Sequence, residues 1–290
     1  MEGVFPLDSE LMFSSALTTA LTMTFAVCIL VPVMYYVWTV YKKRISHVGI
    51  LAGLAAFFLF SYLISGILLA NFAPESAIEK MGQWPYAIVR ALCVTVSDMA
   101  GMVLGLWFLH RQERTLRAPI GFGLGFRLFD MLWLGGLNVL APLSSALTVN
   151  KDGLEAMLSE VEPDKASALE LQLRALAETS PKVYWIGMVD YICKFVLAVA
   201  LTRILWYAFE GGREPADKKY GAVVFVLKLL CELTLALYAA GGKYQLCSAA
   251  YYVLTAGTVC LAYYLANRRD DPEQYRADRL KGKTLPKRRR

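Results

Sequence analysis

The stretch SDMAGMVLGLWFLHRQERTLRAPIGFGLGFRLFDMLWLGG (Ser97–Gly136) decides the fold of this chain. It holds the end of one long apolar run, Tyr86–Leu109, and most of a second, Ala118–Pro142, with a short basic connection around Arg114 between them. Three ionisable residues, Asp98, Arg127 and Asp130, nevertheless lie inside the apolar runs. Apolar runs of about 20 residues are the length of a membrane-spanning helix. The stretch therefore predicts two consecutive spans that carry charges within the bilayer.

Composition places the whole chain in the same class. Of its 290 residues 57% are hydrophobic and 19% are charged, and the mean hydropathy is +0.45. A water-soluble protein of this composition would expose too much apolar surface. We therefore expect an all-α fold, a polytopic transmembrane helical bundle.

Seven stretches have the length and composition of membrane spans. An acidic N-terminus and the lack of a small-residue cleavage site indicate that the first is a retained span and not a signal peptide. The predicted spans are Ser14–Tyr41, Val48–Phe72, Tyr86–Leu109, Ala118–Pro142, Val183–Phe209, Tyr220–Ala240 and Tyr244–Asn267.

The distribution of Lys and Arg predicts the orientation of these spans. Each connection after spans one, three and five carries three basic residues, whereas the opposite side has none before span one and one in each of its two short loops. Basic connections stay in the cytoplasm. The N-terminus is thus expected outside and the C-terminus inside.

Two segments are expected to lie outside the bilayer. Residues 144–182 contain apolar residues at helical spacing, interrupted by Pro163, which predicts two short amphipathic helices on the outer side. The sequence leaves three arrangements open for these helices: they lie on the membrane surface, they cover the bundle as a lid, or they form a solvated hairpin. Residues 268–290 follow the membrane domain of residues 1–267.

The segment 268–290 has ten basic and four acidic residues, so it accounts for the entire net charge of +6. Its low apolar content predicts a disordered cytoplasmic tail. Such a tail serves as a topology signal or binds anionic lipid headgroups. Nucleic-acid binding is not expected, because no aromatic-rich domain accompanies the charge; membrane lipids are the expected partners.

Seven ionisable residues fall in the middle of predicted spans, where charges are costly and mark a polar interior. Three pairs are spaced three or four residues apart and predict ion pairs on one helix face. This pairing leaves Asp98 as the unpaired acid, and Asn138 is expected to share the polar face of Asp130. The residues are Asp98, Arg127, Asp130, Asp190, Lys194, Lys228 and Glu232.

The residues that usually bind metals are scarce in this interior. The chain has two histidines, His47 and His110, and both lie near predicted cytoplasmic span ends. All six cysteines lie in apolar stretches and form no Cys-x-x-Cys pair, so they are interpreted as small hydrophobic residues. We therefore predict no metal site and no cofactor.

The order of motifs resembles the YhfC family of glutamic-type intramembrane proteases, distant relatives of the CAAX-protease clan. The resemblance is carried by Ser97–Gly136, by GMVDYICKFVLAVALTRILWYA (187–208) and by VLKLLCELTLALYAAGG (226–242). It implies an intramembrane endopeptidase in which a glutamate activates water with the help of histidines. The Gly-rich GFGLG sequence within Ser97–Gly136 is interpreted as a site of close helix packing.

The residues that carry the chemistry of that family are replaced in this chain. The positions of the family's glutamates are occupied here by Asp98, Met99, Asp130 and Asp190, and those of its histidines by Phe126, Ala198 and Lys228. The positions of its arginines are occupied by Met102 and Tyr191. Glu232 replaces the aspartate of its His-x-x-x-Asp motif. An aspartate is one methylene shorter than a glutamate. Displacing a catalytic group by about 1 Å can cost roughly 100-fold in rate.

Three hypotheses follow for the function. The first is a catalytically degenerate family member that acts as a binding or regulatory membrane protein, with a transmembrane helix or peptide of another protein as its partner. The second is an active endopeptidase that uses Asp98, Asp130 and Asp190 as acids, with Arg127 or Lys194 stabilising an oxyanion. The third is a proton-coupled small-molecule transporter.

Overall fold

A computed structural model describes residues 11–42, 45–159, 161–210, 215–241 and 244–270, apart from the side chains at 163–164 and 244–245. Within these ranges the regular structure is entirely helical. The helices are α1 (Ser15–Tyr41), α2 (His47–Phe72), α3 (Ala77–Met81), α4 (Gln83–Gln112), α5 (Ala118–Asp152), α6 (Leu154–Ser159), α7 (Pro163–Glu178), α8 (Pro181–Trp206), α9 (Lys219–Ala239) and α10 (Tyr244–Arg269).

Six helices of the described part are long and apolar enough to cross a membrane: α1, α2, α4, α5, α9 and, from Leu246, α10. Many of their large apolar side chains are exposed, as expected where they face lipid. Helix α8 has 26 residues, which is the length of a span, but it is not among these six helices. The span predicted there stays a prediction, and so does the orientation.

The chain divides into two compact units. The first comprises residues 1–34 and 130–192, and the second comprises residues 35–129 and 193–290.

In the second unit, glycines let α2 and α5 pack backbone against backbone. A Cβ on Gly53 would lie 2.1 Å from the carbonyl oxygen of Phe122, and a Cβ on Gly125 would lie 2.0 Å from that of Ile50. Gly49 and Gly121 face the partner backbone in the same way. Each helix thus contributes two glycines spaced four apart, a pattern typical of close helix packing in membranes.

The opposite face of the same α5 segment packs on α8. A Cβ on Gly123 would lie 2.4 Å from Thr202 Oγ1, and that hydroxyl donates to the carbonyl of Pro119 at 3.0 Å. The close-packing role predicted for GFGLG is confirmed. Because α5 is held on both sides, the side chains that follow Gly125 are placed in a fixed position.

The first unit has its own apolar core. Phe13, Leu17 and Leu21 pack against Val139 and Val149, and Leu173 of α7 is buried in the same cluster. The N-terminal segment is fixed to α5 by two hydrogen bonds between the backbone of Phe13 and the side chain of Asn150. The two predicted amphipathic helices exist as α6 and α7, and α7 buries its apolar face on this core.

The helix that contains the predicted fourth span extends beyond the predicted end of that span at Pro142. Helix α5 continues through Pro142 and ends at Asp152, where Gly153 adopts a φ of +86° that favours glycine. Proline is tolerated in long apolar helices because neighbouring groups satisfy the freed backbone carbonyl.

The tail also begins later than predicted. Helix α10 extends to Arg269, which is 1% exposed and donates to the carbonyl of Pro215 at 2.7 Å. Asp270 binds Arg203 and accepts from the Tyr207 hydroxyl at 2.9 Å. These contacts fix residues 268–270 to the second unit, and the tail predicted for the remaining residues lies outside the described part of the chain.

Replacing Gly53 or Gly125 with Ala is expected to lower the stability of the protein by about 1–3 kcal/mol, because the new methyl group would overlap a backbone oxygen. Gly66 lies in the same helix as Gly53 and has no atom near its Cβ position, so Gly66→Ala is the matched control. Thermal unfolding in detergent measures the difference. Equal effects of Gly53→Ala and Gly66→Ala would contradict the packing.

Candidate functional site

The polar centre of the second unit is the carboxyl group of Asp98 on α4. This residue is 1% exposed and accepts hydrogen bonds from three donors. Arg127 Nη2 lies 2.6 Å from Oδ2, Lys228 Nζ lies 2.8 Å from the same oxygen, and Ser61 Oγ lies 2.5 Å from Oδ1. Two cations and a hydroxyl stabilise the ionised form of this carboxyl group.

Lys228 links Asp98 to a second carboxylate. Its ammonium group also binds Glu232, one turn later on α9, and its side chain is only 3% exposed. Asp98, Arg127, Lys228 and Glu232 form a network, here called the ion network, with two positive and two negative charges. The network is neutral and lies where unpaired charges would be costly.

A π-helical segment in α2 helps to build the ion network. Residues 57–64 form π-helical turns, and this segment presents Ser61 to Asp98. The neighbouring Ser97 hydroxyl donates to the carbonyl of Phe60, which attaches α4 to the same segment. A Cβ on Gly101 would lie 2.9 Å from the Phe60 side chain, so glycine permits this approach. Such turns occur often at functional sites.

The structure confirms part of the predicted pairing. Lys228 and Glu232 pair along α9 as their spacing predicts. The prediction that Asp98 is the unpaired acid is wrong, since both Arg127 and Lys228 bind it. Spacing along one helix reveals neighbours on that helix, whereas the partners of Asp98 come from other helices.

Three other predicted site residues, Asp130, Asp190 and Asn138, lie in the first unit and are not part of the ion network. Asp130 is buried in the first unit, where it and the half-buried Asp190 lie within electrostatic range of the Tyr191 hydroxyl. Asn138 is exposed in the first unit, so its predicted place in the polar core is wrong. Residues 130–137 form π-helical turns, and even in a regular α-helix eight residues would place Asn138 roughly 80° around the axis from Asp130.

Lys194 lies in the second unit and lines a small cavity beside the ion network. The cavity has a volume of about 10 Å³, and its polar lining also includes Arg127, Lys228 and Glu232. Tyr251 of α10 completes this lining. Sequence reasoning missed Tyr251, because one tyrosine in an uncharged span is more often an interface anchor.

The chemistry of these side chains does not suit a divalent metal ion. Two cations lie against Asp98 at the distances of direct ion pairs, and a metal would have to displace them. His47 is exposed at the start of α2, and His110 lies 3.5 Å from Glu210. Within the described residues, no three His, Cys, Asp or Glu side chains come together as a metal-binding group.

Comparison with known proteins agrees with the motif order. A family model described as YhfC intramembrane metalloprotease matches residues 27–253. This range contains every member of the ion network and the lining of the small cavity. No curated protein and no solved structure matches the chain.

The Lys228→Met substitution is expected to destabilise the protein by about 3 kcal/mol, because it leaves a buried network with an excess negative charge. The exposed pair Glu170–Arg174 has the same four-residue spacing, with the Arg174 nitrogen 2.8 Å from the Glu170 carboxylate. Arg174→Met is therefore the matched control and is expected to cost about 0.5 kcal/mol or less. Chemical denaturation in detergent measures both, and equal losses would contradict the role of the network.

Proposed function

Because this chain belongs to the YhfC intramembrane metalloprotease family, we propose that it is a member without peptide-bond hydrolysis, which acts as a binding or regulatory protein of the membrane. The observation that carries the proposal is the ammonium group of Lys228. This ammonium group binds both Asp98 and Glu232. By the resemblance, Asp98 stands at the position of a family glutamate, and Glu232 stands at the position of the acid in the family's His-x-x-x-Asp motif. A cation therefore occupies the centre of the matched motifs.

The cations that bind Asp98 and Glu232 disfavour acid and base chemistry by these two carboxylates. A general acid or base must exchange a proton near neutral pH and must reach the substrate. Asp98 is bound by two cations and Ser61, and Glu232 is bound by Lys228. Neither carboxylate readily takes a proton from a water molecule, because the neighbouring cations stabilise its ionised form.

The space beside the ion network supports the same proposal. Pockets that bind small molecules usually have volumes of about 300–1,000 Å³. The cavity of about 10 Å³ beside Lys228 is far too small for a peptide bond and its flanking side chains. The metal that the family description implies does not fit the residues of the second unit, so no step of the proposed function involves one.

We further propose that the partner is a transmembrane helix or peptide of another protein and that the site of action is the cytoplasmic membrane of a bacterium. The family match supports this choice, because an intramembrane protease must first bind a membrane-embedded segment. A member that has lost hydrolysis and kept this binding step would retain or regulate its partner. Asp130 and Asp190 would act as acids only in an active enzyme.

A cleavage assay in liposomes tests the loss of hydrolysis. We expect a library of transmembrane peptides to remain intact with the wild type, as with the Asp98→Asn and Asp130→Asn variants. A family member that keeps the glutamates and histidines serves as the positive control. Photo-crosslinking in the same liposomes is expected to capture a subset of the peptides in a saturable manner.

Two results would contradict the proposal. Cleavage by the wild type that either Asp98→Asn or Asp130→Asn abolishes would show a working aspartate-based protease. Proton flux that depends on a small solute, in liposomes without peptide, would instead show a transporter.

A further inference from the structure

The small cavity of the second unit is lined by a tyrosine whose hydroxyl group has no partner in the described part of the chain. Tyr251 is 1% exposed, and its hydroxyl oxygen has no hydrogen bond to any described residue. The same residue lines the cavity beside Lys228 and Glu232. A buried hydroxyl without a hydrogen bond is costly, so native proteins almost always satisfy such groups.

We propose that this cavity is a binding site for one water molecule, held by Tyr251 and Glu232. A volume of about 10 Å³ matches the space that a single water requires. The Tyr251 hydroxyl donates to the water oxygen, and the water donates to the Glu232 carboxylate. Lys194 and Lys228 line the same space.

The lining favours a neutral ligand over an ion. Three cations, Arg127, Lys194 and Lys228, repel a metal ion or an ammonium group. Asp98 and Glu232 already balance the charges of Arg127 and Lys228, and a chloride ion is larger than the single water molecule that this space admits. A water molecule both donates and accepts, so it suits a wall that carries charges of both signs, and buried waters usually make about three hydrogen bonds.

The water gives α10 a role that its apolar sequence does not suggest. Through it, Tyr251 joins the ion network, whose four charged members lie on α4, α5 and α9. The inference goes beyond the proposed function and does not depend on it, because the water site rests on the cavity and the hydroxyl alone.

The Tyr251→Phe substitution tests this site, because the presence and the absence of the water predict opposite changes in thermal stability. If a water bridges Tyr251 and Glu232, removal of the hydroxyl breaks the bridge, and the thermal midpoint is expected to fall by about 2–4 °C. If the hydroxyl has no partner, its removal relieves an unsatisfied group and the midpoint rises, which would overturn the proposal. Tyr263→Phe, on the exposed face of the same helix, is the control and is expected to have no effect.

Solid-state NMR in liposomes tests the water directly. We expect transfer of magnetisation from water to the Tyr251 side chain, in a signal that Tyr251→Phe removes. Tyr86 is equally buried, and its hydroxyl accepts from Arg90 at 3.2 Å, so it provides an internal comparison with a protein partner. A Tyr251 signal without transfer from water would contradict the proposal, whatever the cleavage assay shows.

Discussion

The ion pair between Lys228 and Asp98 is the interaction on which the second unit depends. A lysine and an aspartate, each almost fully buried, can stay charged in an apolar bundle only when each neutralises the other. Asp98 lies at the centre, because donors from α2, α5 and α9 converge on its two oxygens. Loss of one member would leave an uncompensated charge where water is scarce.

The backbone packing explains how these donors reach one carboxyl group. Gly53 and Gly125 bring α2 and α5 into backbone contact, so Arg127, two residues after Gly125, is held at a fixed distance from α4. The π-helical segment of α2 brings Ser61 to the opposite oxygen of Asp98. The same geometry leaves only a small cavity beside Lys228, and this limits what the site can bind.

Much of this architecture follows from the chain itself. Apolar length identified the helices, the spacing of Lys228 and Glu232 predicted their pairing, and the glycines of GFGLG predicted close packing. The role of Asp98 was not predictable from spacing, because its partners lie on other helices. The predicted face of Asn138 was wrong because eight residues at 3.6 per turn already place it roughly 80° around the helix axis from Asp130. The buried Arg269 was assigned to the tail because it lies in the charged run that begins at Arg268.

A double-mutant cycle on Asp98 and Lys228 tests the central claim most directly. Asp98→Asn leaves the ion network with an excess positive charge and Lys228→Met with an excess negative charge, whereas the double variant is neutral again. We expect the double variant to lose clearly less stability than the sum of the two single losses, with a coupling of about 1–3 kcal/mol. Losses that simply add would contradict the account, because they would show that the two side chains do not depend on each other.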